Sequence, residues 1–168
     1  MRFRPIQLLE TLTGYRVKFV LIGGGAGNVL TSPTLTLDLD ICYQRDPRNL
    51  ERLVKALREL SARLRGVDEE VPFLLDAETL AAGQNFTFMT DLGPLDVLGK
   101  PAGVEGYEDL MRNATKESFN GVDVYVCSLE DLIRMKEAAG RPKDLIELEI
   151  LRAIQEDRER RKPGGSDD

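Results

Sequence analysis

Two aspartates separated by one residue are the side chains in this sequence best suited to chemistry. In Leu37-Asp38-Leu39-Asp40-Ile41, acidic and aliphatic residues alternate, and on a β-strand residues two apart point to the same side. Neighbouring carboxylates repel each other, and Asp is rare in strands. A divalent cation such as Mg²⁺ reverses that repulsion and takes one or two carboxylates together with substrate phosphates. The pair therefore predicts a metal site, and the alternative is an amphipathic strand with a solvated acidic face.

A glycine run lies upstream of this pair. Residues Val17–Ile22 form an apolar run typical of a buried strand, and Gly23-Gly24 follows, thirteen residues before Asp38. Glycine lets the backbone approach a ligand closely, and a short helix at 28–30 would favour a phosphate at its N-terminus. The alternative is a plain tight turn. The run matches neither a dinucleotide-binding fingerprint nor a P-loop.

The remaining patterns predict the elements that must position these residues. Helices are expected over 5–12, 47–65, 76–82, 108–116, from Ser128 to the Gly140-Arg141-Pro142 interruption, and from Asp144 to about Arg158. Strands are expected over 17–22, 34–43, 86–90, 95–98 and 122–127. This order predicts one α/β (α+β) domain over 1–158 with a mixed sheet flanked by helices. The charged tail, 159–168, is expected to be disordered.

Composition excludes several classes of function. The chain has no histidine, which removes His-based nucleophilic catalysis and zinc sites with His ligands. The net charge of −6 argues against a protein that coats nucleic acid. Cys42 and Cys127 sit in apolar runs and are expected to be buried thiols. With no signal peptide or membrane-spanning run, a cytoplasmic location is expected.

The glycine and aspartate motifs together resemble the DNA polymerase β-like nucleotidyltransferase superfamily. Its signature is an apolar residue, Gly and Gly or Ser, a spacer, and Asp-x-Asp, here Ile22-Gly23-Gly24 and Asp38-Leu39-Asp40. The superfamily carries a third carboxylate on a later strand, and Asp96 in Leu95-Asp96-Val97 is the candidate. The resemblance implies a catalytic site of Asp38, Asp40 and Asp96. They would bind two Mg²⁺ (or Mn²⁺) ions and transfer a nucleoside monophosphate from an NTP to a hydroxyl acceptor.

The C-terminal half looks like the minimal nucleotidyltransferases grouped with AbiEii-type toxins. The matching segments are 128–136 and 140–145, and the whole resemblance spans about residues 15–152. It implies nucleotide contacts by the following residues: Gly23, Gly24, Thr36, Lys136, Arg141 and Lys143. It also implies an RNA, protein or small-molecule acceptor, and a cognate antitoxin or other partner protein. One departure is Thr34, where many relatives carry arginine.

Other interpretations remain open at the level of sequence. The chain could be an inactive relative that binds nucleotide or a partner, or an unrelated α/β binding domain with exposed acids. Asp96 could simply lie at the edge of a hairpin. Lys136 could be a solvated helix residue, and Asp144 could be an N-cap. Arg141 and Lys143 could pair with Glu137 or Glu147. A basic outer face predicted for the helix ending at Arg65 would be solvated or would bind RNA. The base preference, the acceptor and the oligomeric state do not follow from the sequence.

Overall fold

The structure is a computed structural model that describes residues 3–22, 38–66 and 73–162. Several predictions fall outside these ranges: the glycine run, the short helix at 28–30, the first part of the strand predicted over 34–43, and residues 163–168 of the tail.

Six helices are present in the described ranges, and side-chain caps fix three of their starts. The helices are α1 (Pro5–Gly14), α2 (Pro47–Glu59), α3 (Ala77–Ala82), α4 (Tyr107–Met111), α5 (Leu129–Ala139) and α6 (Pro142–Arg161). Asp46, Asp76 and Ser128 each accept a hydrogen bond from a backbone N–H in the first turn of the helix that follows. These caps satisfy N–H groups that have no partner within the helix. None of these helices is both long enough and apolar enough to span a membrane.

The described strands form a single mixed sheet, as predicted. The strands are β1 (Phe19–Ile22), β2 (Leu39–Tyr43), β3 (Arg63–Leu64), β4 (Asn85–Thr90), β5 (Gly93–Leu98), β6 (Thr115–Phe119) and β7 (Val122–Val126). Their order across the seven-stranded sheet is β3-β4-β5-β2-β1-β7-β6. The β2–β5 and β1–β7 pairs are parallel, and the others are antiparallel.

Burial along the central strands separates a core face from a site face. In β5, Leu95 and Val97 are buried while Asp96 between them is half-buried. In β2, Asp40 is half-buried and its strand neighbours are buried. Alternation along each strand therefore sends the aliphatic side chains of β5 into the core and its aspartate to the opposite face.

The helix predicted over 47–65 is too long by its last six residues. The helix ends at Glu59, Ser61 adopts a left-handed conformation with φ of 52°, and the chain enters β3. Leu64, which lies within the predicted helix, instead pairs with Phe88 of β4. Leucines at helical spacing continue past the true end, so the periodicity alone extends the helix too far.

The helix predicted over 108–116 is also too long and hides a strand. It ends at Met111, and 115–119 forms β6. Asn120-Gly121 joins β6 to β7, with φ values of 50° and 84°. Asn-Gly is the sequence most typical of a two-residue hairpin turn, because both positions need positive φ.

Two other boundaries differ by a few residues. The β4–β5 turn contains only Asp91 and Leu92, since Gly93 and Pro94 belong to β5. The last helix begins at Pro142 and continues to Arg161, so the first residues of the tail predicted to be disordered are helical.

A buried asparagine joins α2 to the two strands at the centre of the sheet. Asn49 is fully buried. Its Oδ1 accepts a hydrogen bond from the backbone N–H of Lys18 (2.7 Å), and its Nδ2 donates to the carbonyls of Lys18 (3.0 Å) and Gln44 (2.7 Å). Lys18 directly precedes β1 and Gln44 directly follows β2. The Asn49 side chain therefore holds the start of β1 next to the end of β2.

We expect Asn49→Ala to lower the free energy of unfolding by about 2–3 kcal/mol, because buried backbone groups lose their partner. For a chain of this size the melting temperature should fall by about 5–10 °C. Thermal unfolding followed by circular dichroism would measure the change. Arg48→Ala, at the exposed neighbouring position, is the control and should leave the melting temperature within about 2 °C. Equal melting temperatures for the two variants would contradict the structural role of Asn49.

Candidate active site

The three predicted carboxylates come together on one face of the sheet. Asp40 of β2 pairs in register with Asp96 of β5, and Asp38 lies two residues before Asp40. Ile22 of β1 pairs with Asp40 on the other side, and Thr87 of β4 pairs with Asp96. Residues opposite each other on neighbouring strands share a face. The site is therefore a row that crosses four strands, from Ile22 to Thr87.

The distances within this row suit a cation. One carboxylate oxygen from each of Asp38, Asp40 and Asp96 lies within 4.8 Å of the others, and all three residues are half-buried. Oδ1 of Asp40 is buried and receives no hydrogen bond from any residue that the structure describes. An acceptor without a donor in this position is costly. A divalent cation with a preference for oxygen ligands fits the cluster.

Burial and charge repulsion act on Asp40 in the same direction. Burial is the largest effect, and the charges of Asp38 and Asp96 add to it, so the pKa of Asp40 rises to about 8, while Lys136 acts in the opposite direction. Without a cation, Asp40 therefore retains its proton at neutral pH. A bound cation would favour the ionised carboxylate instead.

Asp96 has a partner that sequence reasoning missed. Nη2 of Arg65 lies 2.7 Å from Oδ1 of Asp96. Burial raises the pKa of Asp96, and the charge of Asp38 acts in the same direction, while Arg65 lowers it. Arg65 was expected on the outer face of a helix. Its position directly after β3 depends on where α2 ends, which the leucine spacing does not reveal.

Asp40 lies at one side of a small cleft that also contains a half-buried lysine. Its volume is about 110 Å³, and Asp40, Lys136, Arg141 and Asp144 contribute its charged lining. Lys136 on α5 has a side chain only 12% exposed, so it is not the solvated helix residue of the alternative interpretation. Its Nζ lies 2.6 Å from Oε2 of Glu147 and 3.4 Å from Oδ1 of Asp144.

The start of α6 organises the cationic side of this cleft. Asp144 is fully buried. Burial raises its pKa, but the hydrogen bond from Arg141 and the charges of Lys136 and Arg141 outweigh it, so the pKa lies below its usual value. Nε of Arg141 lies 2.6 Å from Oδ2 of Asp144, and Nη2 lies 3.1 Å from Oδ1. Arg141 therefore pairs with Asp144, not with Glu137 or Glu147.

Of the other predicted nucleotide contacts, only Lys143 belongs to the described residues. Lys143 is exposed and does not contribute to the lining, so its role stays a prediction. Gly23, Gly24 and Thr36, and the departure at Thr34, lie outside the described residues. Ile22, the residue before the glycines, does line the cleft.

A larger cavity lies apart from this row. Its volume is about 360 Å³, and its lining includes Tyr43, Arg45, Gly99 and Glu105. It contains none of the carboxylates of the row, and Arg45 in it donates hydrogen bonds to the Tyr43 hydroxyl and the Ala81 carbonyl. Size alone therefore does not identify the site, and the chemistry points to the smaller cleft.

Several solved structures of known proteins are similar to this structure. No protein-family model matches the chain, and no curated protein matches it in sequence. The structure is similar to the lincosamide antibiotic adenylyltransferase LnuA, solved with lincomycin bound, with a TM-score of 0.60 and 15% identity. The match covers 92% of this chain and 99% of that one.

Two further solved structures match over nearly the whole chain. A Thermotoga maritima protein provisionally assigned as a nucleotidyltransferase has a TM-score of 0.53 and 17% identity, covering 92% of this chain and 96% of that one. The antibiotic-resistance factor ANT(2'')-Ia has a TM-score of 0.53 and 15% identity, covering 92% of each chain. At these identities the likeness concerns the fold. This chain therefore has the mixed-sheet fold of solved nucleotidyltransferases.

Proposed function

We propose that this protein is a metal-dependent nucleotidyltransferase that moves a nucleoside monophosphate from an NTP to a hydroxyl acceptor. The observation that carries the proposal is the carboxylate row: Asp38, Asp40 and Asp96 lie within reach of one cation, and Asp40 opens into a cleft containing Lys136. A solvated acidic face would not bury an oxygen of Asp40 without a donor. The fold of the neighbouring structures agrees with this assignment.

The three aspartates would hold Mg²⁺ or Mn²⁺. When bound, such ions stabilise the attacking and leaving oxygens of an in-line displacement at phosphorus. The acceptor oxygen forms a bond to the α-phosphorus, the bond from that phosphorus to the bridging oxygen breaks, and pyrophosphate leaves. Asp96 is the candidate to accept the proton of the acceptor hydroxyl. Burial raises its pKa, and Arg65 contacts only one of its two carboxylate oxygens.

The cations of the cleft suit the triphosphate. Lys136 lines the same cleft as Asp40, and its ion pairs with Glu147 and Asp144 hold its ammonium in a fixed place. Arg141 is more exposed, at 59%, and is oriented by Asp144. We assign triphosphate binding to Lys136, with Arg141 and Lys143 as further contacts. Contacts by Gly23, Gly24 and Thr36 remain predictions of the resemblance.

Among the possible acceptors, a small hydroxyl compound is favoured. LnuA is named as a lincosamide adenylyltransferase and ANT(2'')-Ia as an antibiotic-resistance factor, and this chain covers almost all of both. The net charge of −6 does not suit an RNA acceptor. A protein acceptor, an antitoxin partner and a toxin role rest on the AbiEii-type resemblance alone.

Label transfer tests the proposed activity directly. The protein would be incubated with each α-³²P-labelled NTP, Mg²⁺ or Mn²⁺, and separate pools of small hydroxyl compounds, RNA and protein. We expect label on a small acceptor and a loss of at least about 100-fold in Asp38→Ala and Asp96→Asn, because transition-state charge is no longer neutralised. Asp123→Asn, at an exposed position on β7, is the control. Transfer that survives in both site variants would overturn the assignment. No label in any pool would favour a nucleotide-binding relative.

The pKa of Asp40 predicts how stability depends on pH without metal. A folded-state pKa of about 8 against an ordinary value of 3.8 means that the neutral carboxyl is preferred in the fold. The resulting stability is complete below about pH 4 and is lost as pH rises through 8. Asp40→Asn stays neutral, so in EDTA at pH 8 it should melt roughly 5 °C or more above the wild type, with a smaller gap at pH 5.

With metal present, the wild type should melt at a higher temperature than Asp40→Asn. Mn²⁺ should raise the melting temperature of the wild type, because it binds only the folded state, and should have little effect on Asp40→Asn. Asp123→Asn should follow the wild type under every condition. A lower melting temperature for Asp40→Asn at pH 8, or equal stabilisation of both proteins by Mn²⁺, would contradict the proposed site.

Replacement of Lys136 should weaken nucleotide binding. We expect Lys136→Met to raise the KM for NTP about 10-fold or more, because the ammonium that faces the triphosphate is gone. Steady-state kinetics at saturating acceptor would measure this change. Lys143→Met removes an exposed lysine that is proposed only as a further contact, so it should raise the KM for NTP less than Lys136→Met does. A larger effect of Lys143→Met would show that the triphosphate lies outside the cleft.

A further inference from the structure

We infer that Arg65 is a positioning residue for Asp96, which it holds in the orientation that the metal and the acceptor require. The inference rests on the proposed function, in which Asp96 is both a ligand and the proton acceptor. It assigns a role in the site to a residue outside the motifs of the sequence.

The backbone brings Arg65 to the end of the carboxylate row. Arg65 directly follows β3, and its N–H donates to the carbonyl of Thr87 at 2.9 Å. Thr87 in turn pairs in register with Asp96. The Arg65 side chain therefore reaches across one strand, β4, and its Nη2 contacts Oδ1 of Asp96 at 2.7 Å. The row of site residues therefore extends from Asp96 through Thr87 to the guanidinium group of Arg65.

The surroundings make this contact stronger than an ordinary surface pair. The side chains are 32% and 18% exposed for Arg65 and Asp96. Short charge-assisted hydrogen bonds in partly buried places restrict rotation of both groups, whereas exposed pairs contribute little. No other ion pair to Asp96 occurs among the described residues.

Repulsion explains why Asp96 needs such a partner. One carboxylate oxygen of Asp38 lies within 4.8 Å of one of Asp96, and the charge of Asp38 acts on Asp96, so repulsion favours rotation of the Asp96 side chain away from the cluster. Arg65 attracts Oδ1 from the opposite side. One oxygen of Asp96 is then fixed, and the position of the other is set by the planarity of the carboxylate.

The fold supplies a matched control two residues away. Arg63 of β3 pairs with Met89, and Arg65 lies beside Thr87, so both arginines belong to the site face of the sheet. Arg63 is exposed. The main-chain pairing of β3 and the packing of Leu64 do not depend on either side chain. Arg65→Gln and Arg63→Gln are therefore both expected to fold, and their melting temperatures would verify this.

The test compares Arg65→Gln, Arg65→Lys, Arg63→Gln and Asp96→Asn. Steady-state kinetics would give kcat and the KM for NTP, and free Mn²⁺ measured by electron paramagnetic resonance would give metal affinity without nucleotide. We expect Arg65→Gln to lower kcat and Mn²⁺ affinity about 10–100-fold, the usual effect of removing a residue that orients a ligand. The KM for NTP should change less than about 3-fold. Arg65→Lys, which retains the charge, should lie between wild type and Arg65→Gln, and Arg63→Gln should match wild type.

The outcomes separate this inference from the function on which it rests. If Asp96→Asn is inactive while Arg65→Gln equals Arg63→Gln in kcat and Mn²⁺ affinity, the role of Arg65 is refuted and the proposed function stands. If Asp96→Asn retains activity, the proposed site is wrong and the role of Arg65 fails with it. A fall in kcat for Arg65→Gln with no recovery in Arg65→Lys and unchanged Mn²⁺ affinity would also refute positioning.

Discussion

The central constraint on this structure is that the sheet brings together three carboxylates, which would repel one another if all three were ionised. Asp40 and Asp96 face each other because β2 and β5 pair in parallel at that register, and Asp38 lies two residues before Asp40. The aliphatic neighbours of Asp40 and Asp96 are buried, so neither strand can turn its acid away without exposing them. The core therefore stabilises an arrangement that the charges alone would disperse, which is how a fold can maintain a site for a cation.

Positive charge is arranged on both flanks of this negative cluster. Arg65 contacts Asp96 at the β3–β4 side, and Lys136 faces Asp40 from α5. The two cations are themselves held differently. Lys136 is shared by Glu147 and Asp144, whereas Arg65 relies on Asp96 alone among its described ion pairs. In the proposed function, the carboxylates therefore lie between Lys136, which would face the triphosphate, and Arg65, which would orient Asp96.

Sequence patterns predicted the carboxylates but not their partners. Alternation in 37–41 placed Asp38 and Asp40 on one face, and the mixed sheet followed from the order of elements. The register between β2 and β5 could not be predicted, because long-range pairing is a property of the whole fold. Arg65 was missed because the spacing of Leu60 and Leu64 imitates a longer helix. The strand at 115–119 had a local signal in Asn120-Gly121 that the helical interpretation overlooked.

The site residues pair across neighbouring strands, so the site forms only when these strands align in the correct register. A slip of β5 by one residue against β2 would turn Asp96 towards the core and bring Leu95 or Val97 to the surface. Such a misaligned sheet would bury an unpaired charge and would also lack the cluster. In the proposed function, correct alignment and activity therefore depend on the same pairing, so natural selection for activity would also select against the misaligned form.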